Sequence, residues 1–306
     1  MFIFLTHSED FMKETKRRLG DRKDGYRVRN LDSMHVIAPL IMPNRTDNEA
    51  VMNEVLDITN LNKYLEKKNA DNPEFKYTFF HVILGALAKT MVLRPRLNRF
   101  YEGSRLFDRK DITFSFVVKK KFEDDAHEAL AIIKVDKDSD VSPVEQFYTK
   151  VKKIVYSVRR ENKKDGTTDI MDTLVSLLPL PVLRFFMRTL KWLDYHGKYP
   201  YSLMKEDPYF SSVFVSNLGS IKMNASYHHL ANWGTNSFFV VVGEKKKRPF
   251  FKEDGTFELR DTIELGMTID ERIADGVYFA KSVKILRHLI ENPELLDLPI
   301  NTEVDV

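Results

Sequence analysis

The run from Thr262 to Ile285 constrains this chain more than any other. From Ile263 to Ile269 apolar and polar residues alternate, the period-two pattern of a strand with one buried face. A charged turn follows, Asp270-Glu271-Arg272-Ile273-Ala274-Asp275-Gly276. From Val277 the apolar spacing lengthens to that of a helix, through Phe279, Val283, Leu286, Leu289 and Ile290. A strand therefore enters a helix through a charged loop. Asp275 falls where the unpaired backbone N–H groups of a helix start favour a carboxylate.

Similar patterns recur upstream. Val51 to Ile58 alternates as a strand, and Thr59-Asn60 opens a helix through Lys68 with Leu61, Tyr64 and Leu65 on one face. Thr78 to Val92 is apolar nearly all round, which predicts a helix buried on several sides. His81 within it reads as a satisfied core histidine. Pro95 ends that helix, Gly103 marks a tight turn, and Leu106-Phe107 form a return strand. Asp111 to Lys119 and Ala129 to Val135 read as strands joined by a charged hairpin at 120–128. Val144 to Val158 is an amphipathic helix with Phe147, Val151, Ile154 and Val158 on its apolar stripe. Strands with helical crossovers and antiparallel hairpins predict an α+β two-layer sandwich, a mixed β-sheet covered by helices.

Composition bounds the function. A chain of 306 residues, 43% of them hydrophobic, can bury a full-sized core. A net charge of +3 gives no case for nucleic-acid binding. Without cysteine there is no disulfide framework and no thiolate site. No zinc motif, phosphate-binding loop or nucleotide fingerprint occurs, so no metal is expected. Residues 1–5, MFIFL, are too short for a signal peptide, so the expected location is cytoplasmic. The basic stretch 13–29 reads as a solvated arm, or as a contact for an anionic partner. Lys245 to Arg248 reads as a solvated turn between strands, or as a phosphate contact.

Residues 171–208 hold an apolar stretch in which Arg184, Arg188 and Lys191 recur at helical spacing after Pro179 and Pro181. Three cations and two prolines exclude a transmembrane helix. The remaining readings are a helix packed on its own domain, a lid over a pocket, or a surface-binding or subunit-contact helix.

Five segments carry a family resemblance. Asp270, Arg272, Asp275 and Gly276 match a D-H-R-x-x-D-G signature, with Glu271 in the histidine position. Val213 to Gly219 matches T-F-T-I-S-N-L-G, and Asn236 to Gly243 the strand after it. Glu54, Asp57, Thr59 and Leu61 are similar to E-x-D-x-T-x-L, with Glu54 and Asp57 one residue further apart, and Pro95 to Asn98 to P-x-L-N. Together they resemble the catalytic domain of the dihydrolipoyl acyltransferases of 2-oxoacid dehydrogenase complexes, relatives of the chloramphenicol acetyltransferases. The resemblance runs from about residue 40 to 296. It divides the chain into a basic arm at 1–39, an acyltransferase-like domain at 40–296 with an insertion at about 171–208, and an acidic tail at 297–306. No lipoyl domain is recognisable. The G-L-V-x-P-V segment that lines the family's thiol channel is replaced by Leu130-Ala131-Ile132-Ile133.

The resemblance implies acyl transfer to or from a coenzyme A-type thiol, with a coenzyme A thioester as substrate. It implies a homotrimer with its channel between subunits, so that Ser216 and Glu271 of different chains would meet. Ser216 would donate to the oxyanion, Glu271 would take the base position, and Asp275 would brace the loop by pairing with an arginine. Imidazole lies roughly 2 pKa units below a thiol and a glutamate roughly 4. Proton abstraction by glutamate is thus about 3 kcal/mol harder, or about a hundredfold slower, before any effect of environment. His228, in the loop Tyr227-His228-His229, is an alternative base. A catalytically inactive relative, acting as a ligand-binding or scaffold subunit, is the competing reading.

Overall fold

The computed structural model describes residues 17–119, 128–160 and 176–305. The tip of the expected hairpin at 120–127 and the start of the insertion at 171–175 lie outside them.

The main sheet has the strand order β2–β10–β8–β7–β5–β6. Its members are β2 (Glu49–Asp57), β5 (Thr113–Lys119), β6 (Glu128–Lys134), β7 (Val213–Asn217), β8 (Phe238–Val242) and β10 (Phe257–Asp270). β7 runs parallel to β5 and β8, and the other neighbours are antiparallel, so the sheet is mixed. A seventh strand, β9 (Lys246–Phe251), pairs only with the first part of β10. A small antiparallel sheet joins β1 (Gly25–Arg27), β4 (Arg105–Arg109) and β3 (Arg99–Glu102).

Alternation along the strands divides the sheet into two faces. Val213, Val215, Val240, Leu265, Met267 and Ile269 point into the main core. There they meet α2 (Thr59–Lys68), α3 (Phe79–Leu93), α4 (Pro143–Arg160) and α7 (Gly276–Glu291). α3 buries all the residues from His81 to Met91, as its unbroken apolar run predicts. Phe214, Phe239 and Val241 face the other way and pack with Leu230 in a smaller cluster. The layers are those of an α+β two-layer sandwich.

Two stretches differ from the sequence reading. The cations at 245–248 do not form a turn: Lys246 opens β9, opposite Thr262 of β10. Cross-strand carboxylates make this possible, since Lys245 and Lys247 pair with Asp261 at 3.0 and 3.2 Å and Arg248 with Glu264 at 2.8 Å. β10 is also longer than the alternation from Ile263 predicts. Its first residues reverse the usual pattern, with Phe257 and Leu259 exposed on the hairpin with β9.

In the 171–208 segment, α5 (Leu180–Tyr195) and α6 (Tyr201–Glu206) are helical. α5 starts immediately after Pro179 and holds Pro181 in its first turn, where a proline lacking its N–H does no harm. Leu190 packs with Tyr199, Met204 and Phe210, flanked by Phe186, Met187 and Leu193. Asp194 of α5 is buried and takes a 2.6 Å ion pair from Arg22.

Candidate functional site

The β10–α7 junction is one half of the candidate site. Asp270, wholly buried, is the last residue of β10. Its carboxylate accepts from Arg272 Nε at 2.8 Å and Nη2 at 2.7 Å, a two-pronged contact. Arg272 also donates to the Met42 carbonyl at 3.1 Å, and its guanidinium lies 4.8 Å from the centre of the Tyr101 ring. Arg45 approaches the same carboxylate at 3.9 Å and donates to the carbonyls of Ala231 and Tyr101 at 2.7 and 3.0 Å. Burial pulls the Arg45 guanidinium below the usual arginine range, with Asp270 pulling back.

On this braced base the backbone turns outward. Glu271 is exposed, and its N–H donates to the Asn48 carbonyl at 2.9 Å. Asp275 caps α7, accepting from Tyr278 N at 2.9 Å, as the charge preference of a helix start predicts. That contact, helped by Arg96, holds its carboxyl below the ordinary value. Arg96 is the arginine beside it, at 3.9 Å, and both side chains are largely exposed. The tight internal bracing of the loop comes from Asp270, Arg272 and Arg45.

The other half is the end of β7. Ser216 is half-buried on the face of Phe214, and the chain turns at Leu218–Ile221 immediately beyond it. A Cβ on Gly219 would sit 2.4 Å from the Gly243 carbonyl oxygen, so only glycine allows this turn to rest on the end of β8. The following segment crosses β10 at a second close approach, where a Cβ on Gly266 would lie 2.3 Å from the Ser226 carbonyl oxygen. It continues to His228, which stacks on Phe239 at 4.1 Å, and to Leu230, whose N–H donates to Glu49 at 2.5 Å. His228 Nδ1 lies 2.9 Å from the neighbouring His229 carbonyl. Neither histidine joins a cluster of metal ligands among the described residues.

Within one chain the two halves are apart. Ser216 pairs with Val241, and Val241 with Gly266, five residues before Glu271. Two strand steps and five residues of rise put Ser216 and Glu271 roughly 19 Å apart. They sit toward opposite ends of the sheet. His228 rests on Phe239, which pairs with Phe214 of β7 and Thr268 of β10, so by register it stands two residues from the level of Ser216 and three from that of Glu271. His81 is a core residue but not a fully satisfied one: it is buried and its Nδ1 accepts from Thr78 N at 3.0 Å, while its Nε2 has no hydrogen-bond partner among the described residues.

The sequence reading did not find the roles of Arg45 or Arg272 as braces. Arg272 could have been seen from its place two residues after Asp270. Arg45 carries no local signal, because its partners lie at 101, 231 and 270.

The chain is a two-layer α+β sandwich with the fold of the 2-oxoacid dehydrogenase acyltransferase cores, and it resembles the acyltransferase catalytic domain of those enzymes. The family model described as 2-oxoacid dehydrogenases acyltransferase (catalytic domain) matches residues 202–298, just under a third of the chain. Among solved structures, the cubic core of the pyruvate dehydrogenase multienzyme complex is similar with a TM-score of 0.56 at 16% identity, over 86% of this chain and 88% of that one. A probable dihydrolipoamide acetyltransferase from Listeria monocytogenes gives 0.55 at 15%, over 92% and 98%. A truncated catalytic core of the 2-oxoacid dehydrogenase multienzyme complex from Thermoplasma acidophilum gives 0.51 at 20%, over 87% and 99%. A comparison with curated proteins gives no match.

Proposed function

We propose that this protein is an acyltransferase that moves an acyl group to or from a coenzyme A-type thiol, working as a homotrimer in the cytoplasm. Residues 40–296 are its catalytic domain, 1–39 a basic arm, 171–208 an insertion and 297–306 an acidic tail. Ser216 of one copy donates to the oxyanion of the tetrahedral intermediate. Glu271 of the next copy takes the proton from the attacking thiol. Asp275 orders the start of α7 behind it. The observation that carries this reading is the separation of the two halves across β10, β8 and β7. An acyl carbonyl and its attacking thiol span a few ångströms, so one chain cannot supply both groups. A neighbour presenting its Glu271 to the Ser216 end would complete the site. Both groups lie where another copy can reach them, Glu271 exposed and Ser216 half-buried.

Glutamate in the base position lowers the expected rate without removing the chemistry, since the oxyanion donor acts independently of the base. The alternative, a non-catalytic binding or scaffold subunit, draws on the same glutamate and on Leu130 to Ile133 standing in place of the channel segment. The test is complementation. Purified protein is assayed for acyl exchange between an acyl-coenzyme A and a small thiol, as wild type, as Ser216→Ala and as Glu271→Ala. Each variant alone loses at least tenfold. Co-expressed, they form mixed trimers in which some interfaces carry one intact pair, and activity returns in part. Glu271→His raises the rate by about a hundredfold, the difference worked from the two acids. Wild-type activity in both single variants, or no exchange by wild type and Glu271→His alike, overturns the catalytic reading.

A further inference from the structure

We infer that the outward face of α5, with the arginine-lined groove beside its C-terminal end, is a docking surface for an anionic lipid bilayer. At about 100° per residue, Leu183, Met187, Leu190 and Asp194 fall on one side of this helix. That side is turned inward, where Leu190 and Asp194 are buried. Phe185 and Trp192 fall opposite, 72% and 55% exposed. Arg184, Arg188 and Lys191 run along one flank of that outward face, and all three are exposed. α5 thus has a second apolar stripe after its inner stripe has been packed, and a helix apolar on both sides calls for a second surface.

Charge identifies that surface. From Leu177 to Lys205 there are five lysines and arginines and a single carboxylate, Asp194. Asp194 is buried and held by Arg22, so the exposed charge of α5 itself, from Arg184, Arg188 and Lys191, is entirely positive. The cationic field continues past the helix. The Arg105 guanidinium lies 5.2 Å from the centre of the Tyr195 ring, and Arg105 lines an open groove of about 550 Å³ with Arg27, Arg29, Val36 and Leu40. Tryptophan and phenylalanine at the centre with arginine and lysine beside them is the composition of a helix that lies in a headgroup layer. No helix among the described residues is long and apolar enough to cross a membrane, so the contact is peripheral. A nucleic acid would leave the aliphatic side chains Leu177, Leu180 and Val182 in water.

The test uses the full chain and vesicles of phosphatidylcholine, alone or with one third phosphatidylglycerol, in a flotation assay. Binding to the mixed vesicles at least tenfold above the neutral ones is expected, with a blue shift of tryptophan emission that Trp192→Phe removes. The triple variant Arg184→Glu, Arg188→Glu, Lys191→Glu loses roughly a hundredfold in partitioning, from the usual attraction of three cations to an anionic leaflet. Should the triple variant fail to fold by circular dichroism, Arg188→Glu alone is read for a loss of about fivefold. Equal binding to both vesicles, binding to neither, or full binding by the charge-reversed variants overturns the proposal. A larger assembly in gel filtration that the same variants abolish, without vesicle binding, assigns the face to a protein partner and overturns it equally.

Discussion

Asp270→Ala tests the idea that the β10–α7 loop is held by a buried charge cluster. In the native protein the Asp270 carboxylate has no exposure and faces two guanidiniums, Arg272 with a side-chain exposure of 2% and Arg45 with 6%. Removing the carboxylate leaves both cations buried without their counter-charge. Taking one partner from a buried pair costs about 3–5 kcal/mol, whereas an exposed pair is worth about 1 kcal/mol or less. Arg272 keeps its bond to the Met42 carbonyl and Arg45 its bonds to Ala231 and Tyr101, which argues for the lower end, about 3 kcal/mol. For a chain of this size that corresponds to a Tm lowered by roughly 5 °C. Asp270→Asn keeps one acceptor in the same shape and should lose about half as much. Both are measured by thermal unfolding at one fixed protein concentration, since assembly itself raises apparent stability. A loss below about 1 kcal/mol in Asp270→Ala would show that the arginines are satisfied without the carboxylate, and the account of the loop would fail.

Two further predictions come from other parts of the core. Burial pushes His81 down to about 4 and the largely buried Glu102 up to about 7, Asp194 adding to the latter and Arg22 and Arg45 opposing it. The unfolded chain binds a proton at His81 more readily than the folded one. The His81 contribution is therefore whole above about pH 6.5 and is lost as pH falls toward 4. Glu102 has the opposite sign, since the folded chain holds its proton more tightly and stability is lost as pH rises from about 4.5 to 7. The two offset each other, so Glu102→Gln should steepen the fall of Tm with acid between these values, and a profile parallel to wild type would refute the pairing. Gly266→Ala places a methyl 2.3 Å from the Ser226 carbonyl oxygen, and backbone cannot yield as a flexible side chain does. A cost of about 1–3 kcal/mol in urea unfolding is expected, with altered His228 and Phe239 ring resonances as the 222–230 segment lifts. Unchanged stability would mean that the segment does not rest on β10.

What could be read from the sequence was what is carried by neighbours in the chain. The switch from period two to helical spacing at Ile269–Val277 located β10, its loop and α7, and the unbroken apolar run from Phe79 located α3. Asp275 as a helix cap needed only its position before Gly276. α1 (Ser33–Ile41) was missed because it is short and holds Pro39 inside it; its large apolar residues Met34, Val36, Ile37, Leu40 and Ile41 are all exposed. The strand β1 was missed because three residues, one of them glycine, hold too little pattern to read. The Arg22–Asp194 pair joins residues 172 positions apart, and nothing local in either stretch marks it.

The same distinction explains why the candidate site was legible as residues and not as geometry. Ser216 and Glu271 each sit in a short motif whose chemistry depends on nearest neighbours. Their relation depends on strand order and register, and there the pairing is decisive. β8 lies between β7 and β10, and antiparallel pairing sends β10 toward the start of β7 while Ser216 lies near its end. Replacing one residue cannot shorten that path, because slipping β10 by one position would turn Met267 and Ile269 out of the core. The register that buries the core therefore also keeps Ser216 and Glu271 of one chain apart. Activity in a protein held monomeric would therefore refute the roles proposed for Ser216 and Glu271, whereas activity restored by mixing Ser216→Ala with Glu271→Ala chains is what those proposed roles require.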